Sequence, residues 1–303
     1  MLASLGNTAA LFLLVLLAGF VAGKCKILRD EGKAGMTNLV LFVTLPCTIV
    51  DSFKIDYESS LLAGMAITFA IALAAQTLGQ LASVALFRKQ PWEKRSVLRY
   101  GLIVCNSGFF GMSVMAALFG GSALSLGAVY LIPQRFAMWV LGMPVFTDRK
   151  QKYALLKTFV HPCMIAVYLG LILMLFSIRL PAAVAAPLDA IGGCTMPLAM
   201  LLVGSILSET KLKNLLDPNI YFYCLVRLVV IPGIVFLGCL LIGIDADIMR
   251  VCVLMAGMPA AATTGLLSLV YGADEKLGTA TIVTSTAFFF LLMPAWLTLF
   301  SLY

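Results

Sequence analysis

The sequence predicts an all-α integral membrane protein with ten transmembrane helices. Of its 303 residues, 62% are hydrophobic and only 12% are charged, and the mean hydropathy is +1.04. These values exclude an ordinary soluble domain. A helix needs about 20 apolar residues to cross a bilayer, and stretches of that length recur along the chain. The predicted spans are 7–23, 36–53, 60–87, 98–119, 123–147, 155–177, 187–208, 219–243, 249–271 and 277–300.

The net charge of +7 indicates membrane topology rather than a nucleic-acid partner. Most basic residues follow predicted helices 1, 3 and 5, whereas the intervening loops hold only Lys54, Arg179 and Arg250. Basic loops face the cytoplasm, so the sequence predicts a multi-pass protein of the cell membrane with both termini outside. Contact with anionic lipid is a second interpretation. The basic positions are Lys24, Lys26, Arg29, Lys33, Arg88, Lys89, Lys94, Arg95, Arg99, Arg149, Lys150, Lys152 and Lys157.

The two halves of the chain are related by an offset of about 151 residues. The offset superimposes the predicted spans, places residues 44–46 (TLP) on residues 195–197 (TMP), and makes Pro46 and Pro197 equivalent helix kinks. Because five helices per half is an odd number, the second half must enter the membrane from the opposite side, as an inverted repeat. The predicted repeats are 1–150 and 151–303.

Residues 105–118 (CNSGFFGMSVMAAL) and 255–267 (MAGMPAAATTGLL) are apolar but poorly suited to straight helices. Glycine costs about 1 kcal/mol relative to alanine in a helix, and Pro259 removes a backbone donor. Irregular backbone in a bilayer must lie inside protein or line a polar cavity. A broken helix also presents free N–H groups and a positive dipole end, which bind anions. The sequence therefore predicts a carboxylate site between helices 4 and 9; the alternative is close helix packing through small residues.

The candidate site residues lie in these segments and on neighbouring helices. An arginine inside the bilayer costs about 2.5–3.5 kcal/mol on insertion scales and needs a partner or water. Arg135 and Arg227 are therefore candidates for binding the anion, although Arg227 could instead snorkel to the interface. Gln76, Gln80 and Gln134 are candidates for a cavity or ion site, or for hydrogen bonds between helices. The predicted substrate-binding residues are Asn106, Ser107, Gly108, Gly111, Ser113, Arg135, Arg227, Pro259, Thr263 and Thr264.

Several motifs occur in a characteristic order, namely residues 39–46 (LVLFVTLP), 106–111 (NSGFFG), 117–120 (ALFG), 258–261 (MPAA) and 271–272 (YG). In this order and spacing the chain resembles the auxin efflux carrier family, which includes plant PIN-type carriers and bacterial permeases. The resemblance covers nearly the whole chain. It departs at Ser113, where such carriers usually have proline.

The resemblance implies the bile-acid symporter/PIN-like fold, in which two inverted five-helix repeats bring helices 4 and 9 to cross at the substrate site. It also implies a scaffold domain of helices 1, 2, 6 and 7, through which a homodimer forms. Helices 3–5 and 8–10 would form a transport domain that moves as an elevator. The substrates of such carriers are small organic anions, from auxin to malonate-like or malate-like acids.

The coupling ion is left open by the sequence. Hydroxyls and unwound carbonyls are suitable ligands for Na⁺, and the absence of an acidic residue near the predicted midplane weakens a carboxylate proton relay. Uniport and proton symport are left open, and no organic cofactor is expected. The alternatives are a sodium-coupled symporter of a larger, bile-acid-like anion and a non-transporting ligand sensor. The sequence has no HExxH or GxSxG motif, so no enzyme is expected. Its eight cysteines include no CxxC pair and predict no metal site.

Overall fold

The computed structural model describes residues 2–51, 53, 62–119, 121–146, 160–176, 178–209 and 215–302. Within these ranges the chain is helical, and its extended backbone is limited to one isolated bridge. Six helices are long and apolar enough to cross a membrane, which confirms an all-α membrane protein. They are Glu31–Asp51, Ala63–Ala85, Ala123–Phe146, Ala182–Glu209, Pro218–Ile242 and Glu275–Phe300. Two shorter apolar helical stretches are Leu13–Lys24 and Pro162–Met174.

The helices are labelled in chain order, with a and b for the two parts of an interrupted helix. They are α1 (Leu2–Lys24), α2 (Asp30–Leu39, Val40–Thr44 and Leu45–Asp51), α3 (Leu62–Ala85), α4a (Trp92–Ile103), α4b (Ser107–Gly111 and Met112–Leu118), α5 (Gly121–Ala137, Met138–Gly142 and Met143–Phe146), α6 (Pro162–Leu175), α7a (Ala182–Gly193), α7b (Thr195–Glu209), α8 (Pro218–Leu225, Val226–Val230 and Ile231–Ile242), α9a (Ala246–Ala256), α9b (Thr263–Val270) and α10 (Glu275–Phe300). The sequence predicts that helix 7 starts at residue 187, where a proline stands. In the structure α7a begins earlier, at Ala182, and Pro187 lies inside the helix.

Three helices contain a π-helical turn that ends two residues before a proline. A proline has no amide hydrogen, and its ring clashes with the carbonyl four residues earlier. The wider π turn moves that carbonyl away from the ring and keeps the helix continuous. The pairs are Val40–Thr44 with Pro46, Met138–Gly142 with Pro144, and Val226–Val230 with Pro232. Of the two predicted kink positions, Pro46 therefore follows a π turn, and Pro197 follows the interruption between α7a and α7b.

Two groups of helices share most of the close contacts. In the first group α1 packs along α7b, and the last part of α2 packs on α6 and α7a. A Cβ atom on Gly19 would overlap the backbone of Leu201, and one on Gly204 would overlap the backbone of Leu16. The backbones of α1 and α7b are therefore in direct contact, as small residues allow in membranes. In the second group α3 packs on α5 and α4a, α9a packs on α8 and α5, and α9b packs on α10.

Candidate functional site

The interruption of α4 lies against the interruption of α9. Cys105 and Ala260 form an antiparallel bridge, and the Asn106 N–H donates a 2.8 Å hydrogen bond to the Pro259 carbonyl. Val104 is extended, with φ −123° and ψ 117°. The α4 helix therefore ends well before Ser113, so its interruption does not require a proline at that position; the side chain of Ser113 lies outside the described residues.

The last carbonyls of α4a have no partner within the helix, and four side chains from neighbouring helices donate to this stretch of backbone. These contacts explain how the chain tolerates an irregular segment at membrane depth. The four bonds run from Tyr223 Oη to the Gly101 carbonyl (3.0 Å), from Arg227 Nη1 to Leu102 (3.0 Å), from Gln76 Nε2 to Ile103 (2.9 Å) and from Gln134 Nε2 to Cys105 (2.5 Å).

The carbonyls of the α9 interruption are held in a similar way. Arg227 also donates through Nε to the Met258 carbonyl at 3.3 Å, so one buried guanidinium joins both interruptions. Ser107 Oγ donates to the Met255 carbonyl at 3.0 Å. The structure therefore places Arg227 and Ser107 where they hold the two backbones together, and neither side chain lines the cavity described next.

A cavity of about 60 Å³ lies between the two interruptions and the helices α2, α5 and α7b. Five of the predicted residues line it: Asn106, Gly108, Gln134, Arg135 and Thr263. Thr195 of α7b also lines it, and this residue was not among the binding residues predicted from sequence. Most of the remaining lining is apolar, including Val40, Ile49 and Leu266, so the polar groups lie within an apolar surround.

Arg135 provides positive charge at this cavity. Its Nη2 atom is 3.6 Å from the position that a Cβ would take at Gly108. Its Nε atom is buried and has no hydrogen-bond partner among the described residues. Asp51, at the end of α2, acts on this guanidinium electrostatically. A guanidinium with a free donor in a buried position is suited to a carboxylate, which can accept two parallel N–H bonds.

Thr263 is oriented by a buried tyrosine. Tyr100 Oη donates to Thr263 Oγ1 at 3.0 Å, and Tyr100 is completely buried. Because Thr263 accepts this bond, its own hydroxyl proton is left to donate towards the cavity. Asn106 receives a long contact of 3.5 Å from the Phe110 N–H on its Oδ1 atom, which leaves its side-chain NH₂ as a second donor.

The other predicted residues lie outside the cavity lining. Gly111 packs against methionine, since a Cβ there would come within 3.0 Å of Met255 Sδ, and Thr264 is buried beside α10. Gln76 and Gln80 line a separate apolar groove with residues of α5. Ser285, which sequence reasoning did not select, accepts the Ala260 N–H at 3.1 Å. It lies 151 residues after Gln134, so applying the offset between the two halves to Gln134 selects this position.

This architecture is that of a membrane transporter, because a cavity with several polar side chains lies between two interrupted helices. The chain belongs to the membrane transport protein family, whose model matches residues 4–156 and 151–297. This is the auxin efflux carrier family that the motifs indicated. The chain is 27% identical to an uncharacterized transporter of Methanocaldococcus jannaschii, over 96% of this chain and 97% of the relative. It is 24% identical to an uncharacterized transporter of Methanothermobacter thermautotrophicus, over 96% of each chain.

Proposed function

We propose that the protein is a secondary transporter or facilitator that moves a small organic anion across the cell membrane, with the anion bound in the cavity between the two interruptions. The observation that carries the proposal is the buried Nε of Arg135 at the cavity, which has no hydrogen-bond partner in the part of the chain that the structure describes. A charged donor at membrane depth is expensive unless it has a partner or water. A carboxylate supplies that partner and matches the geometry of a guanidinium.

The neutral donors around the cavity support the same ligand. Asn106 immediately precedes α4b, and Thr263 is the first residue of α9b. The N-terminal ends of both half-helices therefore bring N–H groups and positive dipole ends close to the lining. The anion would be held by Arg135, the Asn106 side chain and the Thr263 hydroxyl, with Gly108 leaving room beside the guanidinium.

The proposed mechanism is elevator-type alternating access. Helices α1, α2, α6 and α7 would form the scaffold, through which two copies pair, and α3–α5 with α8–α10 would carry the anion. Residues of both groups line the cavity, for example Thr195 from the first and Arg135 from the second. A displacement of one group against the other would therefore expose the anion on alternate sides of the membrane. Gln134 and Ser285, which are 151 residues apart, each hydrogen-bond the backbone of one interruption, and this pairing favours the inverted repeat of 1–150 and 151–303.

The size of the cavity favours a compact anion. Its volume of about 60 Å³ is well below the roughly 150 Å³ of an apolar cavity that holds benzene. A bile-acid-like substrate would require a much larger space. The cavity thus supports the small-anion proposal over the large-anion alternative.

The proposal is tested by uptake of labelled malonate, malate and an aromatic monocarboxylate into proteoliposomes. Each acid is measured with and without imposed Na⁺ and pH gradients. We expect saturable uptake of at least one acid, and acceleration by one gradient would identify the driving ion. Binding of an acid without any uptake, by a folded and correctly inserted protein, would contradict transport and favour the ligand sensor.

A further inference from the structure

The orientation of the Gln134 side-chain amide follows from its hydrogen bond to the Cys105 carbonyl. Its nitrogen lies 2.5 Å from the Cys105 carbonyl oxygen, and a carbonyl can only accept a hydrogen bond. The NH₂ group must therefore face Cys105, and Oε1 points the other way. That oxygen is buried and has no partner among the described residues, while the side chain as a whole is 7% exposed and lines the cavity.

Thr195 presents a second acceptor from the opposite wall. Its neighbour Thr48 has one hydroxyl proton and lies 2.9 Å from the Gly192 carbonyl and 3.1 Å from the Thr44 carbonyl. Since carbonyls only accept, Thr48 gives its proton to one of them. The 2.8 Å bond between Thr48 and Thr195 is then donated by Thr195. Thr195 is left with lone pairs to offer to the cavity.

The charges around the cavity limit the charge of its ligand. Arg135 is the cationic side chain that the described lining contains, and Asp51 offsets part of its charge. Arg227 donates to the carbonyls of Leu102 and Met258 and lies outside the lining. A second carboxylate on the ligand would meet no second cation here, and it would approach the acceptor oxygens of Gln134 and Thr195.

From these groups we infer that the cavity selects a compact monocarboxylate that carries a hydroxyl group close to its carboxylate. The carboxylate binds Arg135, Asn106 and Thr263, and the substrate hydroxyl donates its proton to Gln134 Oε1 or to Thr195 Oγ1. This inference rests on the proposed function and adds the substrate class. A buried acceptor discriminates strongly against an analogue without the hydroxyl, because that analogue leaves the acceptor unpaired.

The test compares acids that differ only in the hydroxyl group. Uptake into proteoliposomes is measured for glycolate against acetate, lactate against propionate, and 3-hydroxybutyrate against butyrate, with malonate and malate as dicarboxylates. We expect the hydroxylated acid of a transported pair to have a KM at least about tenfold lower than its partner, in line with one buried polar contact. Both dicarboxylates are expected to be poorer substrates than that hydroxy acid.

Two variants distinguish selectivity from folding. Gln134→Met keeps the length of the side chain but removes the acceptor, so the KM ratio within a pair should fall towards one. Gln76→Met is the matched control, because Gln76 also donates to a carbonyl of the α4 interruption but does not line the cavity. Its KM ratio should stay that of the wild type. If Gln134→Met does not fold, Thr195→Val removes the second acceptor and should lower the ratio.

The outcomes separate this inference from the proposed function. Equal KM values within every transported pair, or better uptake of a dicarboxylate, would overturn the substrate class and leave an anion transporter. A ratio that falls equally in Gln76→Met would overturn the assignment to Gln134. Absence of uptake for every acid in the panel would overturn both proposals.

Discussion

The backbone N–H of Asn106 donates to the carbonyl oxygen of Pro259 at 2.8 Å, so the two interrupted helices are joined through their main chains. Pro259 has no N–H group, but its carbonyl oxygen accepts the N–H of the other interruption. Several further backbone groups of the interruptions are bound by side chains from α3, α5, α8 and α10. The cavity therefore lies between irregular segments whose backbone is held by the surrounding helices.

The Arg135→Gln variant should bind and transport the anion less well while it keeps its fold. Among the described residues its Nε has no hydrogen-bond partner to lose, and glutamine retains a donor of shorter reach. We expect the KM for the transported anion to rise at least about tenfold, since a charged hydrogen bond contributes about 1.5–3 kcal/mol. Uptake kinetics and the melting temperature are measured together. Arg250→Gln, which changes an ion pair with Asp247 and a hydrogen bond to the Phe300 carbonyl outside the cavity lining, serves as the control and should keep the wild-type KM.

Arg227→Leu should show the opposite pattern and reduce stability. It removes the donors to the carbonyls of Leu102 and Met258, and each unsatisfied buried acceptor costs about 1–3 kcal/mol. We expect a marked drop in the melting temperature in detergent and in the yield of monodisperse protein. A stable Arg227→Leu protein with a raised KM would instead return this residue to the binding site.

Gly204→Val should separate α1 from α7b. A Cβ at this position overlaps the backbone of Leu16, so the helices must move apart, and overpacking of this kind costs about 1–3 kcal/mol. Gly238→Val on α8 is the matched control, because no atom lies within 4 Å of its Cβ position. Thermal unfolding of both variants should show destabilisation in Gly204→Val alone, and equal melting temperatures would contradict the close packing.

A salt bridge at the start of α8 should make stability sensitive to acid. Lys94 lies 2.8 Å from the Asp217 carboxylate. Burial raises the pKa of Asp217, but hydrogen bonds from Lys94 and Asn219 lower it by more, so the pKa lies below its usual value. A lowered folded-state pKa stabilises the protein above the unfolded pKa, which is about 3.9, and this stabilisation disappears as the pH falls through the folded value.

The Asp217→Asn variant measures this contribution. Its melting temperature should lie below that of the wild type near neutral pH, and the two should converge as the pH falls below about 4. A difference between the two proteins that persists unchanged in acid would contradict an electrostatic origin.

The helices and the positions of the interruptions could be predicted from sequence because their causes are local. Long apolar runs, Asn106 with Gly108, and Pro259 act through hydrophobicity and backbone conformation alone. The partners of buried polar groups could not be predicted in the same way. Arg227 appeared to be a binding residue, whereas in the structure it donates to two carbonyls that the chain brings near it from other helices.

The site residues that were not predicted from sequence lie in segments with no unusual composition. Tyr100 and Thr195 are ordinary residues in apolar helices, and they acquire roles only because Thr263 and Thr48 lie beside them. Ser285 was accessible in principle through its offset from Gln134. The 151-residue offset therefore points to one residue near the site that the separate motifs do not.

The most direct test of the central claim uses Cys105, which lines the cavity. In a variant that retains only this cysteine, its rate of alkylation by iodoacetamide, which has only five heavy atoms, is measured with increasing amounts of the anion that the uptake panel identifies. A variant that retains only the exposed Cys25 is the control. We predict that the anion slows alkylation of Cys105, with half-protection near the KM for uptake, and leaves Cys25 unaffected. Unchanged alkylation of Cys105 at a saturating concentration of the anion would contradict binding in this cavity.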